Sequence, residues 1–209
     1  MKKRNLIFLS LIGLLSIGFT SLSLAGSTTF SEIHVAEAAN VSEYYSSIKD
    51  EYTGEKLLLA LQILNQTKLR QRVGYKSMPS KFTLTDPGNT EGTVTSFYSG
   101  KSKVYTGNMN REHIWPASRT VLGRDKDPLE DDMHTIRPTL IDENGNRGNS
   151  FYVEGMDDKT YGWDPANCGD ETYRGDSARI VFYCVVADSK LSLAASNYEP
   201  TNKHSMGNL

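Results

Sequence analysis

Ten residues near the middle of the chain, NREHIWPASR at positions 110–119, place an arginine, a glutamate and a histidine side by side. Near neutral pH a histidine can accept a proton from water, because its unperturbed pKa is about 6.5. A carboxylate is a hard oxygen ligand for a divalent cation, and a guanidinium supplies forked donors that match a phosphate. The stretch therefore combines a base, a metal ligand and an anion-binding group.

More groups of the same kinds follow up to residue 149. They are Arg119, Arg124, Arg137 and Arg147, and the amide side chains of Asn144, Asn146 and Asn149. Amide oxygens suit Mg²⁺, which keeps several of its own waters when a protein binds it. Base, metal and guanidinium together could hydrolyse a phosphodiester: the metal stabilises the leaving oxygen, the histidine activates water, and an arginine holds the phosphate.

The sequence does not favour other kinds of catalytic or binding site. The chain has four scattered histidines and neither an HExxH nor a CxxC motif, which argues against zinc. It has no GxSxG elbow, which a serine hydrolase of the α/β type would need. The tripeptide RGD at 174–176 is a weak adhesion signal, and entry into a helix explains Asp176 better.

The N-terminus indicates export. The basic MKKR is followed by an apolar run from Leu6 to Phe19, which is short for a membrane span of about 20 residues. Residues 1–25 are predicted to be a signal peptide, with cleavage as late as residue 38; an uncleaved anchor is the alternative. Residues 26–42 are polar and small, which predicts a flexible lead-in. The protein is expected to be secreted.

The charge balance limits how nucleic acid could be bound. The whole chain has a formal net charge of −2, and losing residues 1–25 removes three basic residues and no acid, which leaves a net charge of −5. A protein that coats DNA through charge alone should be basic. Any contact with nucleic acid must therefore be a local patch or a metal site.

The two cysteines leave two interpretations open. Export permits a disulfide between Cys168 and Cys184. Cys184 lies in the apolar stretch RIVFYCVVA, where it would also pack as a small apolar residue.

Hydrophobic spacing predicts the main elements. Leu57, Ala60, Leu61 and Leu64 recur at helical spacing, which predicts an amphipathic helix. Residues 74–100 are rich in Gly, Pro, Ser and Thr and read as a long loop with short strands. GDSARIVFYCVVAD is a core element that would suit a helix capped by Asp176 or a strand. Mixed helices and short strands without a β-α-β rhythm predict an α+β fold.

The central motifs fall on short strands. KVYTGNMNREHIW predicts a strand, a Gly-Asn turn and a second strand closed by Pro116, and MHTIRP predicts a strand ended by its proline. His134 in that strand reads as structural. Since neighbouring strand residues face opposite ways, Glu112 and His113 can share a site only where the strand ends and twists.

Three ordered motifs, NREHIWP, DDMHTIRP and DENGNRGNSFY, resemble the endonuclease I family of secreted and periplasmic bacterial nucleases. YTGEKLLLALQ and RGDSARIVFY are also similar to that family, so the resemblance covers roughly residues 44–209. It implies a small ββα-metal (His-Me finger) core and Mg²⁺-dependent cleavage with little sequence preference, with Mn²⁺ as a substitute. The implied partners are double-stranded and single-stranded DNA and RNA, with no stable protein partner, and the chain is expected to be a monomer.

The resemblance also implies the site residues. His113 matches the general base, Glu112 a metal ligand, and Asn144 the second ligand, with Asn149 in reserve. Arg124 is the best match to the phosphate-binding arginine, and Arg119 is second. The residues expected to contact substrate or support the ligands are Arg111, Arg119, Arg147 and Asn149.

Two further expectations concern residues 141–209. Asn144 and Arg147 share a face if their segment is a helix, although Gly145 and Gly148 oppose one and leave a loop as the alternative. In the family an MGNL-like stretch leads on to more helices, so residues 43–209 are expected to be a nuclease domain without its C-terminal part.

The alternative function is a weak or inactive relative that binds nucleic acid or acts as a surface-interaction protein.

Overall fold

A computed structural model describes residues 43–67, 73–123, 127–160, 162–169, 171–193 and the backbone of 205–206. The predicted signal peptide, the lead-in up to residue 42 and Arg124 lie outside the described residues. Contacts divide the chain into two units, residues 1–57 and 58–209. In the described part of the first unit, the Lys56 ammonium lies 4.2 Å from the centre of the Tyr52 ring.

The described helices are few. In chain order they are α1 (Gly54–Thr67), α2 (Phe82–Thr85), α3 (Ile141–Arg147) and α4 (Thr172–Ala187). Short 3-10 turns cover Tyr75–Ser80, Ala117–Arg119, Pro128–Asp131 and Pro165–Cys168. Within the described ranges, every helix is too short or too polar to cross a bilayer.

The strands form two-stranded sheets. The antiparallel pairs are β1 (Thr93–Thr95) with β2 (Ser102–Val104), β3 (Met109–His113) with β4 (Ile136–Leu140), and β5 (Asp157–Asp158) with β6 (Gly162–Trp163); the parallel pair is β7 (Ser192–Leu193) with β8 (Ser205–Met206). Helices and small sheets of this kind confirm the predicted α+β class.

The predicted amphipathic helix is confirmed as α1. Leu64 is buried and the rest of the predicted stripe is half-buried, whereas Leu59 and Ile63 on the other side are exposed. The Gln62 side chain donates to the Val185 carbonyl at 3.0 Å, which ties α1 to the end of α4. The apolar spacing therefore identified the correct face.

The prediction of a long loop with short strands over residues 74–100 is confirmed for the strand β1 and was wrong for residues 75–80 and 82–85, which are helical. The segment contains the Tyr75–Ser80 turn, α2 and β1, and it contributes the fully buried side chains of Met78, Phe82 and Val94. These three pack with Met109 and Ile136 in a small hydrophobic core. Single apolar residues dispersed among Gly, Pro and Ser give no periodic signal, although each can be buried by tertiary contacts.

The strands around NREH form near their predicted positions but pair differently along the chain. β2 pairs with β1, and β3 pairs with β4, so the Gly-Asn turn does not join a hairpin. Pro138 lies in the middle of β4 and does not end it. A two-stranded sheet has only edge strands, which tolerate a residue without an N–H group. The Pro138 carbonyl accepts a hydrogen bond from the Phe97 N–H at 2.9 Å.

The late core element is the helix α4, and the strand alternative was wrong. Its buried residues are Ser177, Ile180, Val181, Cys184 and Val185, a spacing of three and four that only a helix can turn to one side. The helix begins at Thr172, so Asp176 is not its cap but pairs with Arg179 inside it. Both cysteines are free thiols, and burial raises the pKa of Cys184 well above its usual value.

The Asp132 side chain, which lies before β4, forms a hydrogen bond with helix α4. Its carboxylate accepts hydrogen bonds from the His134 Nδ1 at 2.8 Å and from the Tyr183 hydroxyl at 2.7 Å. His134 is exposed and precedes β4, so its placement in a strand was wrong, while its structural pairing agrees with the role predicted for it. Although burial raises the pKa of Asp132, these hydrogen bonds and the pairing with His134 lower it to about 2.

This low pKa predicts an acid-sensitive contribution to stability. Because the folded-state pKa of Asp132 lies below its ordinary value of 3.8, the contribution is complete above about pH 5 and is lost as the pH falls toward 2. A difference of nearly two pH units corresponds to about 2 kcal/mol. Urea unfolding should show that wild type loses about 2 kcal/mol more than Asp132→Asn between pH 6 and pH 2. Equal losses in the two proteins would contradict the assignment.

Candidate active site

Five of the predicted site residues lie on one strand–strand–helix unit: Arg111, Glu112 and His113 on β3, and Asn144 and Arg147 on α3. β3 runs antiparallel to β4, with Glu112 opposite Arg137, and the chain passes directly from β4 into α3. α3 contacts both strands. Gly148 ends this helix at a φ of 59°, a conformation that favours glycine, and its N–H donates to the Asn144 carbonyl at 2.8 Å. The structure therefore confirms the predicted helix for this segment, and the loop alternative was wrong.

Alternate side chains of β3 meet different surroundings. Asn110 and Glu112 contact α3: the Asn144 amide donates to Asn110 Oδ1 at 2.8 Å, and the Arg147 guanidinium donates to Glu112 Oε1 at 3.0 Å. Arg111 instead contacts Tyr75. Asn144 and Arg147 therefore share the face of α3 that packs on β3, as their spacing predicted.

Glu112 is part of a buried polar cluster. It is 1% exposed, and its Oε1 atom also accepts a hydrogen bond from the Tyr98 hydroxyl at 2.6 Å. Arg147 is equally buried and donates to the backbone carbonyls of His113 at 2.8 Å and Ile114 at 2.9 Å. Arg147 thus fixes both the Glu112 side chain and the end of β3. Its burial gives it a supporting role and prevents direct contact with a substrate.

The charges of this cluster are coupled. Burial raises the pKa of Glu112, and Arg147 and Tyr98 offset part of that rise. Burial works against the charged form of Arg147, but Tyr152 and Glu112 raise its pKa above the usual range. Arg147 consequently remains a cation and is the counter-charge that Glu112 needs in order to stay ionised in the interior.

His113 and Arg111 share one aromatic partner, Tyr75. The His113 and Tyr75 ring centres are 5.3 Å apart with an interplanar angle of 32°, and the Arg111 guanidinium carbon lies 3.7 Å from the centre of the same ring. Arg111 also donates to the Tyr75 carbonyl at 2.9 Å, and the Tyr75 N–H donates to Asp131 Oδ1 at 2.7 Å. Tyr75 was not singled out from the sequence, because it lies in no motif.

The Glu112 and His113 side chains contact different partners. β3 ends at His113, before the break that Pro116 predicted. Glu112 lies with Tyr98 and Arg147, whereas His113 lies against Tyr75. Strand alternation accounts for this difference in surroundings. Arg147 contacts both residues, because it donates to the Glu112 carboxylate and to the His113 backbone carbonyl.

Arg119 and Asn149 meet beside α3. The Arg119 guanidinium carbon lies 4.0 Å from the centre of the Phe151 ring, and its Nε donates to the Asn149 carbonyl at 3.2 Å. Asn149 uses its backbone in this contact, and its residue is exposed. Arg119 is half-buried, so the aromatic ring and the carbonyl fix the position of a cation close to the surface.

The sequence model of the Endonuclease I family matches residues 39–205. The chain belongs to the Endonuclease I family. An extracellular ribonuclease of Bacillus amyloliquefaciens is 29% identical over 185 residues, which cover 79% of this chain and 62% of the relative. An extracellular ribonuclease of Bacillus subtilis (strain 168) is 29% identical over 166 residues, which cover 72% of this chain and 55% of the relative. No solved structure is significantly similar to the chain.

The chain thus spans less than two thirds of the length of both curated relatives. Its match to the Endonuclease I family contains NREHIWP, DDMHTIRP and DENGNRGNSFY, the motifs on which the resemblance was based. Family membership is therefore confirmed, and β3, β4 and α3 lie inside the matched region.

The Endonuclease I resemblance predicts Mg²⁺, and the side chains on this unit fit such an ion in their donor chemistry. Both hydrogen bonds to the Glu112 carboxylate go to Oε1, so among the described residues Oε2 makes none. Asn144 uses its amide nitrogen toward Asn110 and Arg111, which leaves its oxygen available. Carboxylate and amide oxygens are ligands that Mg²⁺ accepts together with its own waters.

The described ranges contain no cluster of three or more His, Cys, Asp or Glu side chains suited to a metal. The ligand set predicted here is of another type, with one carboxylate and one amide.

Proposed function

We propose that this protein is a secreted, Mg²⁺-dependent endonuclease that hydrolyses phosphodiester bonds in DNA and RNA with little base preference. We assign β3, β4 and α3 as its ββα-metal (His-Me finger) core. The observation that carries the proposal is that this unit, in a chain of the Endonuclease I family, brings Glu112 and Asn144 to one face of β3 and places His113 at the strand end.

Each residue of the unit has a distinct role in the proposed reaction. Glu112 and Asn144 would hold the Mg²⁺ ion, which when bound supplies charge stabilisation at the leaving oxygen. His113 accepts a proton from water as the water oxygen bonds to phosphorus. The bond from phosphorus to the 3′ oxygen breaks, this oxygen takes a proton from solvent water to become a hydroxyl, and the phosphate stays on the 5′ end. Tyr75 and the Arg147-bound backbone hold His113 in position.

An arginine completes the proposed site by binding the phosphate. Arg124 is the preferred match in the sequence. Arg119 is the arginine that the structure describes between His113 and His134, and the Phe151 ring and the Asn149 carbonyl hold its guanidinium. A guanidinium whose position is already fixed loses less conformational entropy when it binds a phosphate.

The comparisons support both nucleic acids and export. The family carries the name of an endonuclease, and the two relatives are named extracellular ribonucleases. The basic and apolar N-terminus also predicts export from the cell. Since no element of the described ranges suggests base readout in the grooves, we propose contact through the phosphates.

One observation favours a second candidate, a protein that binds nucleic acid without cutting it. Glu112 is buried and its charge is neutralised by Arg147, so an ion would have to share the carboxylate with Arg147 and Tyr98. Cleavage assays separate the two functions, because both candidates bind nucleic acid and only the endonuclease makes new ends.

The proposed function is tested by incubating purified protein with supercoiled plasmid and with RNA in the presence of Mg²⁺. We expect nicked and then fragmented DNA, shortened RNA, 5′-phosphate ends and no shared sequence at the ends. Activity should fall as salt rises, because phosphate contacts depend on charge. His113→Ala, purified in parallel, excludes a contaminating nuclease. Retarded but intact nucleic acid would favour the binding function, and neither binding nor cleavage would contradict both.

The two candidate asparagine ligands can be separated by metal titration. Asn144→Ala should reduce cleavage at low Mg²⁺ and recover part of it at high Mg²⁺, because it removes an amide oxygen from the face that carries Glu112. Asn149→Ala should leave the Mg²⁺ dependence unchanged, since Asn149 contributes its backbone carbonyl to Arg119. A defect that Mg²⁺ rescues only in Asn149→Ala would reverse the two roles.

A further inference from the structure

Two tyrosines to which the sequence assigned no role form a hydrogen-bonded chain that ends at Glu112. The Tyr98 hydroxyl donates to Glu112 Oε1 at 2.6 Å, and the Tyr98 and Tyr152 hydroxyl oxygens are 2.5 Å apart. Both tyrosines are fully buried. A buried hydroxyl is costly unless it is hydrogen-bonded, so phenylalanine would serve this core better if packing were the only requirement.

The direction of these hydrogen bonds follows from proton counting. A phenol has one proton, and Tyr98 donates its proton to Glu112. The hydrogen bond between the two hydroxyls must therefore be donated by Tyr152 and accepted by Tyr98. The cluster thus forms an ordered chain from Tyr152 through Tyr98 to the carboxylate.

Aromatic packing fixes the position of the Tyr98 hydroxyl. The Tyr98 ring makes edge contacts with Trp163, at 4.7 Å between ring centres, and with Phe97, at 5.0 Å. The Arg147 guanidinium carbon lies 4.6 Å from the centre of the Tyr152 ring. A donor held in this way directs the carboxylate with little freedom to rearrange, as partners of metal ligands do in other proteins.

We propose that Tyr98 is a positioning residue for the Glu112 carboxylate. Together with Arg147 it engages Oε1, so that Oε2 is the oxygen directed toward the cation, and Tyr152 orients the Tyr98 hydroxyl. This inference rests on the proposed function, because it takes Glu112 as a ligand of Mg²⁺.

The test is calorimetric titration of the folded protein with Mg²⁺ alone, without substrate. Tyr98→Phe removes one oxygen and keeps the ring, and we expect Mg²⁺ affinity to fall about 10-fold or more. Tyr152→Phe, one hydrogen bond further away, should cause a smaller loss in the same direction. Tyr173→Phe is the matched control, because Tyr173 is a half-buried tyrosine on α4 that packs on Phe97, and its affinity should equal wild type.

Glu112→Ala separates failure of this inference from failure of the proposed function. If Glu112→Ala loses Mg²⁺ binding while Tyr98→Phe and Tyr152→Phe keep wild-type affinity, the positioning role is wrong and the ligand role stands. If Glu112→Ala binds Mg²⁺ as wild type does, the ligand role itself is wrong. Thermal melting of each variant identifies any that fails to fold. If the Tyr98→Phe variant does not fold, the Tyr152→Phe variant tests the inference instead. A wild-type affinity of Tyr152→Phe for Mg²⁺ would then overturn the inference.

Discussion

Replacing His113 with alanine is expected to lower kcat for nucleic-acid cleavage by about 10²–10⁴-fold, the usual contribution of a general base. KM should change little, because the proposed role of His113 is to accept a proton from water and not to hold the phosphate. The fold should survive, since His113 is half-buried and its side chain packs on Tyr75 at the end of β3. Steady-state cleavage of a labelled duplex gives both constants.

His134→Ala is the matched control for this prediction. His134 is exposed and pairs with Asp132, so its removal should leave kcat within about twofold of wild type. A large kcat loss in His134→Ala together with normal activity in His113→Ala would show that the base has been assigned to the wrong histidine.

Replacing Arg147 with alanine is expected to cost about 3–5 kcal/mol of unfolding free energy, the usual effect of removing one partner from a buried ion pair. The change leaves the Glu112 charge buried without its counter-ion and leaves the carbonyls of His113 and Ile114 without their donor. Such a loss is a large part of the total stability of a domain, which is about 5–15 kcal/mol. Urea unfolding monitored by tryptophan fluorescence measures it.

Two further variants identify the cause of that loss. Arg119→Ala removes an arginine that lies half-buried on Phe151, and it should cost about 1 kcal/mol or less. Glu112→Gln in the Arg147→Ala background removes the unpaired charge and should restore part of the stability. If Arg147→Ala unfolds within about 1 kcal/mol of wild type, the buried ion pair does not contribute to stability as described here.

The order of elements around the site was largely predictable from the sequence. The strand predicted within MNREHIW is β3, and the strand predicted from MHTIRP at 133–138 overlaps β4. The asparagine-rich segment after Pro138 read as a helix or a loop, and Asn144 and Arg147 share a face in the helix that forms. These inferences are local: they depend on strand alternation and helical spacing, which operate over a few residues. Alternation set Glu112 and His113 on opposite sides unless the strand twisted at its end, and their side chains contact different partners.

What surrounds these residues was not predictable, because it depends on contacts between distant parts of the chain. Tyr98 reaches Glu112 across 14 residues, and the Tyr75 carbonyl meets Arg111 across 36. Neither tyrosine has a spacing that distinguishes it from an ordinary core or surface residue. The complete burial of Glu112 was equally hidden, since a glutamate is rarely buried unless it is paired, and its partner Arg147 lies on another element.

Removing divalent metal from the protein tests the proposed reaction most directly. Purified protein is assayed on plasmid DNA and RNA after dialysis against EDTA, and again after Mg²⁺ is added in excess. We expect cleavage to stop in EDTA and to return with Mg²⁺, since in the proposed function Glu112 and Asn144 hold an ion that stabilises the leaving oxygen. Full cleavage in excess EDTA would contradict the assignment of Glu112 and Asn144 as the ligands of a catalytic metal.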